Sequence, residues 1–220
     1  MPEVRNDRAK ILEKIRHSLG GAAQSPAEIA GEYAAIPRTY AQSSVLSRHD
    51  LLELFVDRLL EYDAGVYRIA SDAIAETIAE VLTRRGKHSA AIPGGLPAAW
   101  LPQGFGFPVA NLFSAQQVDR VEGILTACTV AIAETGSIVL QNADGQGPRV
   151  LSLVPDYHLC VVFADQVVAT VPEAFTRLAA TSTLPTTFIS GPSATADIEM
   201  TRIKGVHGPR FVDVVIVDGR

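Results

Sequence analysis

Hydroxyl, carboxylate and imidazole side chains are concentrated near the end of the chain, between residues 189 and 218. The flanking runs TTFIS and FVDVVIVD are apolar enough to form core strands. The polar residues between these two runs are Ser190, Ser193, Thr195, Asp197, Glu199 and His207. Polar groups at this density between two buried strands indicate a binding or catalytic site.

The segment after the first of these runs has two interpretations. Gly191 would let the backbone approach a ligand, and Ser190 with the first-turn amides of a following helix would bind a phosphate or carboxylate. Alternatively, Ser193 or Thr195 only caps that helix, with Asp197 in its first turn. The concentration of polar groups favours the ligand-binding interpretation.

His207 lies next to Gly208 and Pro209, where little side-chain bulk would hide it. Histidine titrates near neutral pH, which suits acid–base catalysis. A structural hydrogen bond from the ring to the backbone is the equal alternative. We interpret His207 as a catalytic residue and Gly208 as part of the ligand-binding loop.

A second polar cluster, formed by Glu134, Thr135, Gly136 and Ser137, follows an apolar strand. A carboxylate beside this much apolar surface resembles those that enzymes use as bases or nucleophiles. The alternative is a glutamate that faces water or pairs with Arg149. We interpret Glu134 as the second catalytic residue and its three neighbours as ligand-binding residues.

Two further residues are candidates for ligand binding. Arg149, beside the glycine-rich loop NADGQGP, could hold a carboxylate or phosphate through two hydrogen bonds. An ordinary surface arginine is about equally compatible with this position. His158 begins the apolar run HLCVVFA, so the alternative to ligand binding is a hydrogen bond to a neighbouring strand.

Strand and helix patterns alternate from Gly65 to the end of the chain. They predict an α/β fold, with a three-layer, Rossmann-like, mostly parallel sheet between helices. The turn at Thr135 and Gly136 predicts some antiparallel pairing inside that sheet. Because sites in such sheets gather at the carboxyl ends of strands, we expect residues 134–137, 155–158 and 190–207 there.

The N-terminal part of the chain has a different pattern. An amphipathic helix is predicted over residues 6–19, followed by a linker or irregular arm over residues 22–45. Ser47 is expected to cap the next helix. We therefore divide the chain into an N-terminal helix and arm, residues 1–45, and an α/β domain, residues 46–220.

The composition narrows the classes of function. The net charge of −5 provides no basic surface for nucleic acid. No apolar run reaches the roughly 18 residues of a membrane span, and the N-terminus lacks a signal-peptide core, so we expect a cytoplasmic protein. Cys128 and Cys160 lie in apolar runs and are expected to be buried free thiols. Neither a metal-binding motif nor a GxGxxG or Walker loop is present.

Three segments together resemble the LUD-domain family: AIAETGSIVL, PDYHLCVVFA and ISGPSATADIEMTRIKGVHGPRFVDVVIVD. The N-terminal segment RAKILEKIRHSL also resembles the start of such proteins. The positions that match the family's motifs are Glu134, Thr135, Gly136, Ser193, Asp197, His207 and Gly208. The resemblance implies the fold shared by ribose-5-phosphate isomerase, glucosamine-6-phosphate deaminase and the CoA-transferases.

The resemblance also implies a role in bacterial L-lactate utilization, in which a three-component system oxidises L-lactate to pyruvate. The other two components carry iron–sulfur centres, whereas two unclustered cysteines cannot hold a cluster in this chain. We therefore expect no cofactor here, iron–sulfur clusters in partner subunits, and a small carboxylate or phosphate ligand. A homo-oligomer is compatible with the sequence.

Two other functions remain open at this point. One is a free-standing enzyme that resembles an acyl-CoA transferase or a sugar-phosphate isomerase, with Glu134 as nucleophile or base. The other is a non-catalytic assembly or regulatory subunit that docks through its N-terminal helix. The sequence does not decide whether this chain is itself an enzyme.

Overall fold

The computed structural model describes residues 7–19, 24–195, 203–204 and 208–219. The chain divides into two units, Met1–Tyr40 and Ala41–Arg220. The first unit contains helix α1 (Asp7–Ser18), as the amphipathic pattern predicts, and helix α2 (Pro26–Ala35). The side chains of both helices are exposed.

Helix α2 corrects the prediction of an irregular arm over residues 22–45. Ser25 accepts a hydrogen bond from the backbone N–H of Glu28, and the Glu28 side chain accepts one from the backbone N–H of Ser25. This capping box, with Pro26 in the first turn, starts a helix without an apolar periodic face. The prediction failed because it relied on apolar periodicity and overlooked the capping residues.

The second unit contains all of the described strands. Its helices are α3 (Arg48–Glu61), α4 (Ile74–Arg84), α5 (Ala115–Val118), α6 (Arg149–Leu153) and α7 (Val171–Leu178). The strands are β1 (Gly65–Ala70), β2 (Ile124–Thr126), β3 (Val130–Ile132), β4 (Ser137–Gln141), β5 (Tyr157–Phe163), β6 (Val167–Val168), β7 (Thr186–Ile189), β8 (Ala194–Thr195), β9 (Ile203–Lys204) and β10 (Phe211–Asp218). Ser47 caps α3 as predicted, through a hydrogen bond from the backbone N–H of Asp50.

The main sheet has the strand order β1-β10-β5-β2, and every neighbouring pair in it is parallel. Its central strands β5 and β10 are almost entirely buried, which explains their continuous apolar sequences. Residues 89–93 (SAAIP) and 108–113 (PVANLF) contribute single parallel bridges, Ala91 with Ile124 and Ile92 with Val109. These bridges extend the parallel arrangement beyond β2.

The antiparallel pairing predicted inside the main sheet lies in a second sheet. This sheet has the order β6-β3-β4-β7, with β4 antiparallel to both β3 and β7. The predicted hairpin between β3 and β4 is confirmed, but its position within the parallel sheet was wrong. β3 and β4 are entirely buried because they are covered on both faces.

Side chains on the two faces of the main sheet pack against different layers. On one face, Val161 and Val215 pack with Ile78 and Leu82 of α4. On the other, Cys160 and Val214 pack with α3 and with the second sheet, whose outer side is covered by α7. The predicted mixed α/β fold with a mostly parallel sheet is therefore confirmed. The second sheet replaces part of a helix layer.

Cys128 and Cys160 are buried free thiols, as predicted. The neighbouring Cys160 and burial both raise the pKa of the Cys128 thiol, so this group stays protonated in the core. Within the described part of the chain, no helix is long and apolar enough to cross a membrane.

Candidate functional site

The turn between β3 and β4 carries the first motif. Its backbone continues the pairing of the second sheet, since the N–H of Glu134 donates to the carbonyl of Ala169 at 3.1 Å. Gly136 has a φ of 58°, and a Cβ atom there would lie 2.8 Å from Cβ of Arg58 in α3. Only glycine fits this conformation and this contact. The sequence of the turn therefore reflects its packing against α3.

A chain of three hydroxyl groups joins this turn to the loop after β7. Thr135 Oγ1 lies 2.7 Å from Ser137 Oγ, which lies 2.6 Å from Ser190 Oγ. The adjacent pairing of Ile138 with Ile189 in β4 and β7 brings the two serines together. Thr135 is half-buried, Ser137 is buried and Ser190 is exposed, so the chain of hydroxyls passes through a buried centre and reaches the surface at Ser190. Two motifs about 50 residues apart in sequence thus form one site.

Gly191 brings the loop after β7 against the end of α3. Its φ is 73°, and a Cβ atom there would lie 2.3 Å from Cβ of Tyr62. This contact explains the glycine on structural grounds. A direct role of Gly191 in ligand binding stays a prediction.

The next part of this loop contacts the segment that enters β10. The backbone N–H of Ser193 donates to the carbonyl of Pro209 at 2.8 Å. A Cβ atom on Gly208 would lie 3.3 Å from Cβ of Ser193. Ser193 and Gly208, from the two ends of the terminal motif, therefore lie side by side.

A short strand stands where a helix was predicted to start at Ser193 or Thr195. Ala194 and Thr195 form β8, which pairs antiparallel with Lys204 and Ile203 of β9. Ser193 therefore does not cap a helix at this position, and that half of the prediction was wrong; a helix capped by Thr195 would lie outside the described residues. Asp197 and His207 lie outside the described residues, and of Thr195 only the backbone pairing is described.

A cavity of about 260 Å³ opens beside these residues. Its lining is Ser152, Leu153, Phe188, Ile189, Ser190, Gly191, Pro192, Ser193, Ala194, Gly208 and Pro209. All of these residues are uncharged, so within the described part of the chain the cavity offers hydroxyl and main-chain groups. Such a lining can bind a small polar ligand by hydrogen bonds.

The edge of the sheet at which the cavity lies differs from the prediction. Pro209 and Arg210 lead into the amino end of β10, and Asp156 precedes the amino end of β5. Ser190 comes after the carboxyl end of β7, but this strand belongs to the second sheet. The expectation that residues 155–158 lie at the carboxyl ends of the parallel sheet was wrong, and Ser190, the first residue of the 190–207 cluster, follows a strand of the second sheet instead. The loop after the carboxyl end of β7, in the second sheet, therefore lies beside the amino ends of β5 and β10 in the main sheet.

Glu134 and Arg149 do not line this cavity as it is described. The Glu134 side chain is exposed rather than set against apolar surface. Arg149, the first residue of the short helix α6, is also exposed. Its backbone carbonyl accepts a hydrogen bond from Ser152 Oγ at 3.2 Å, so α6 itself borders the cavity. The functional roles assigned to both residues stay predictions.

His158 lies in the core, outside the cavity. It is 0% exposed, and its Nε2 lies 2.8 Å from Thr126 Oγ1 on the neighbouring strand β2. Burial lowers the pKa of His158 to about 4, so the ring is neutral at pH 7. These contacts favour the structural alternative for His158, a hydrogen bond to a neighbouring strand. The partner is the Thr126 side chain rather than a backbone group.

Several contributors to the site were missed in the sequence. Arg58 and Tyr62 at the end of α3 support the two glycine positions, and Ser152 and Phe188 line the cavity. None of these residues belongs to a recognisable motif. Only the apolar periodicity of α3 predicted that this helix packs near any other element. Among the described residues, no group of three or more His, Cys, Asp or Glu side chains could hold a metal ion.

The regions of this chain that are similar to known proteins include the whole of this site. The family model described as LUD domain matches residues 52–217. Lactate utilization protein C of Deinococcus radiodurans is 40% identical over 220 residues, which cover 99% of this chain and 98% of that protein. Lactate utilization protein C of Shouchella clausii is 34% identical over 112 residues, 49% of this chain and 48% of that protein.

The fold of this chain is also similar to that of a solved structure. It is the crystal structure of a DUF162 family protein from Deinococcus radiodurans, with a TM-score of 0.68 and 38% sequence identity. The match covers 78% of this chain and 99% of that chain. The turn, the hydroxyl chain and the cavity all fall within the residues that the family model matches.

Proposed function

The chain belongs to the LUD-domain family, and on this premise we propose that it is the component of a bacterial L-lactate utilization system that carries no iron–sulfur cluster. The resemblance predicted from the sequence is confirmed by the family match over residues 52–217. The observation that carries the proposal is the 40% identity, over 99% of this chain, to the lactate utilization protein C of Deinococcus radiodurans.

The chemistry of the proposed reaction requires partner subunits. Oxidation of L-lactate to pyruvate releases two electrons and two protons. An iron–sulfur cluster is usually held by four cysteines, whereas this chain has two, Cys128 and Cys160, both buried in the core. We therefore assign the electron acceptor to iron–sulfur clusters in partner subunits.

The cavity beside Ser190 and Ser193 is the proposed site for a small carboxylate ligand. Its volume of about 260 Å³ exceeds the size of a three-carbon acid, and its hydroxyl and main-chain groups suit a carboxylate. The hydroxyl chain from Thr135 through Ser137 would orient Ser190 toward the ligand. Thr195 and Asp197 complete the proposed ligand-binding set.

Proton transfer is the role we propose for Glu134 and His207. Loss of the hydroxyl proton from lactate requires a base, and a glutamate or a histidine can serve. Gly136 and Gly208 hold the backbone around these two residues in the proposed arrangement. Arg149, exposed at the start of α6, would bind the carboxylate through a bidentate hydrogen bond.

Growth on L-lactate tests this proposal. A strain that lacks the gene is complemented with wild type, Glu134→Gln, Ser137→Ala or the control Ser182→Ala, whose side chain is exposed away from the cavity. We expect rescue by wild type and by the control, and reduced rescue by the two site variants at equal protein levels. Growth on glucose provides the reference for each strain.

Other outcomes would change the proposal in distinct ways. Equal rescue by all variants would keep the pathway but contradict the proposed site, and would favour an assembly subunit. If deletion leaves growth on L-lactate unchanged, the role in lactate utilization itself is wrong.

A further inference from the structure

A second and larger cavity lies at the N-terminal end of α3, whereas the turns of the hydroxyl chain pack against its C-terminal end. Its volume is about 510 Å³, and it is bordered by the segment before α3, by β6 and by α7. Arg48 and Arg177 stand at its wall beside Glu173, and its apolar side includes Leu46, Leu51 and Val167. Two guanidinium groups at one cavity indicate a site for an anion.

Both guanidinium groups retain donors for a ligand. Nη1 of Arg48 donates to the carbonyl of Val167 at 3.1 Å, and Nη1 of Arg177 donates to the carbonyl of Asp165 at 2.8 Å. A guanidinium group has five N–H donors, so each arginine uses only a fraction of them. Within the described part of the chain, neither arginine has a carboxylate oxygen within 4.0 Å of its nitrogens.

Glu173 is the acidic residue of this cavity, and its oxygens are already occupied. Oε1 accepts the backbone N–H of Ser44 at 3.2 Å, and Oε2 accepts those of Ala169 and Thr170, both at 2.9 Å. Its carboxylate therefore serves as the capping group of α7. Two positive charges and one negative charge leave the described lining with a net charge of about +1.

The charged neighbours of Arg48 border two different cavities. Burial lowers the pKa of Arg48, Asp165 raises it, Arg177 lowers it, and Asp218 raises it. Asp165 and Asp218 line a separate cavity of about 370 Å³, which Arg48 also borders. Asp165 and Asp218 thus border a different cavity from the one that Arg177 and Glu173 line.

We propose that the larger cavity binds an organic monocarboxylate with an apolar body. The carboxylate would bind Arg48 and Arg177, and the hydrocarbon part would pack against Leu46, Leu51 and Val167. A monoanion would balance the net charge of the lining, and the apolar wall distinguishes such a ligand from inorganic phosphate. This site is independent of the proposed lactate cavity, so it would serve an effector or a second substrate.

Calorimetry of the full-length protein with hexanoate as the probe tests the proposal. We expect saturable binding by wild type and a loss of at least about tenfold in affinity for Arg177→Gln, because the variant removes a charged hydrogen-bond donor to the carboxylate. The double variant Arg48→Gln/Arg177→Gln should show no measurable binding. Arg120→Gln, which changes an exposed arginine outside the cavity, is the matched control.

Four outcomes would overturn the proposal, three of them direct. These three are absence of saturable binding by wild type, unchanged affinity in folded Arg177→Gln, and phosphate binding as tight as hexanoate. Ser137→Ala should retain the wild-type affinity for hexanoate. Equal loss of affinity in Ser137→Ala and Arg177→Gln would place the probe elsewhere. Circular dichroism of each variant checks the fold before titration.

Discussion

Asp213 accepts two hydrogen bonds from the guanidinium group of Arg85, at 2.7 Å from Nε and 2.6 Å from Nη2. The Asp213 side chain is fully buried in β10, and that of Arg85, directly after α4, is 28% exposed. The guanidinium lies 5.1 Å from the ring centre of Phe211 and 5.9 Å from that of Tyr157. This pair attaches the end of α4 to an interior strand of the main sheet.

Replacement of Asp213 by alanine should strongly destabilise the protein. Removal of one partner of a buried ion pair costs about 3–5 kcal/mol, and the lower value applies here because Arg85 can reach water. Urea unfolding measures the loss. Asp218→Ala is the control, since its carboxylate is 46% exposed in a surface pair with Arg68 and should cost about 1 kcal/mol or less. Equal losses for both variants would contradict this interpretation.

Gly191→Ala should destabilise the protein more than Gly86→Ala. Both glycines have a positive φ, 73° and 63°, so both substitutions incur the left-handed backbone cost of about 1–2 kcal/mol. Only at Gly191 would the new methyl group collide with Tyr62, at 2.3 Å, whereas no atom lies within 4 Å at Gly86. We expect a further loss of about 1–3 kcal/mol for Gly191→Ala, measured by urea unfolding. A difference below the experimental error would indicate that α3 moves away.

Apolar patterns predicted the parts of the fold that bury surface. The continuous runs of β5 and β10 predicted central strands, and the apolar face of α4 predicted a helix on the sheet. Burial dominates in these elements, so a local pattern is enough to identify them. The hairpin between β3 and β4 was likewise predictable from local turn chemistry.

Long-range pairing explains what the sequence did not predict. No local pattern predicts that β4 pairs with β7 or that these strands lie outside the parallel sheet. The second sheet, and the edge of the main sheet at which the cavity lies, were therefore not predicted. The glycines of the motifs indicated special backbone positions, but the partners that require them, Arg58 and Tyr62, lie on a helix distant in sequence. The expectation that the two motifs form a functional site stays a prediction. The hydrogen bond between Ser137 and Ser190 that joins them is visible only in three dimensions.

Ser137→Ala and Ser190→Ala should show energetic coupling. Ser137 Oγ is the buried centre of the hydroxyl chain, so its loss should cost about 1 kcal/mol of folding stability. Loss of the exposed Ser190 hydroxyl alone should cost less, because water can replace it. A double-mutant cycle by urea unfolding should give a coupling energy of at least about 0.5 kcal/mol. Additive losses would contradict a direct bond between the two hydroxyls.

His158 should make the protein less stable in mild acid. Burial lowers its pKa to about 4 in the folded state, against about 6.5 in an unfolded chain. Between these two values the unfolded state binds a proton that the native state does not, so the free energy of unfolding falls as the pH falls. The slope approaches about 1.4 kcal/mol per pH unit, for a total near 3 kcal/mol, and this penalty is absent above about pH 7.

Urea unfolding at pH 7, 6 and 5 measures this effect in His158→Gln and in wild type. Glutamine removes the titrating ring but keeps a polar group near Thr126 Oγ1, which lies 2.8 Å from His158 Nε2 in the native protein. The variant should be less stable at pH 7 because of altered packing, yet lose less stability on acidification. His49→Gln, at an exposed histidine, should retain the wild-type slope. The same slope in all three proteins would mean that His158 binds its proton equally well in the folded and unfolded states.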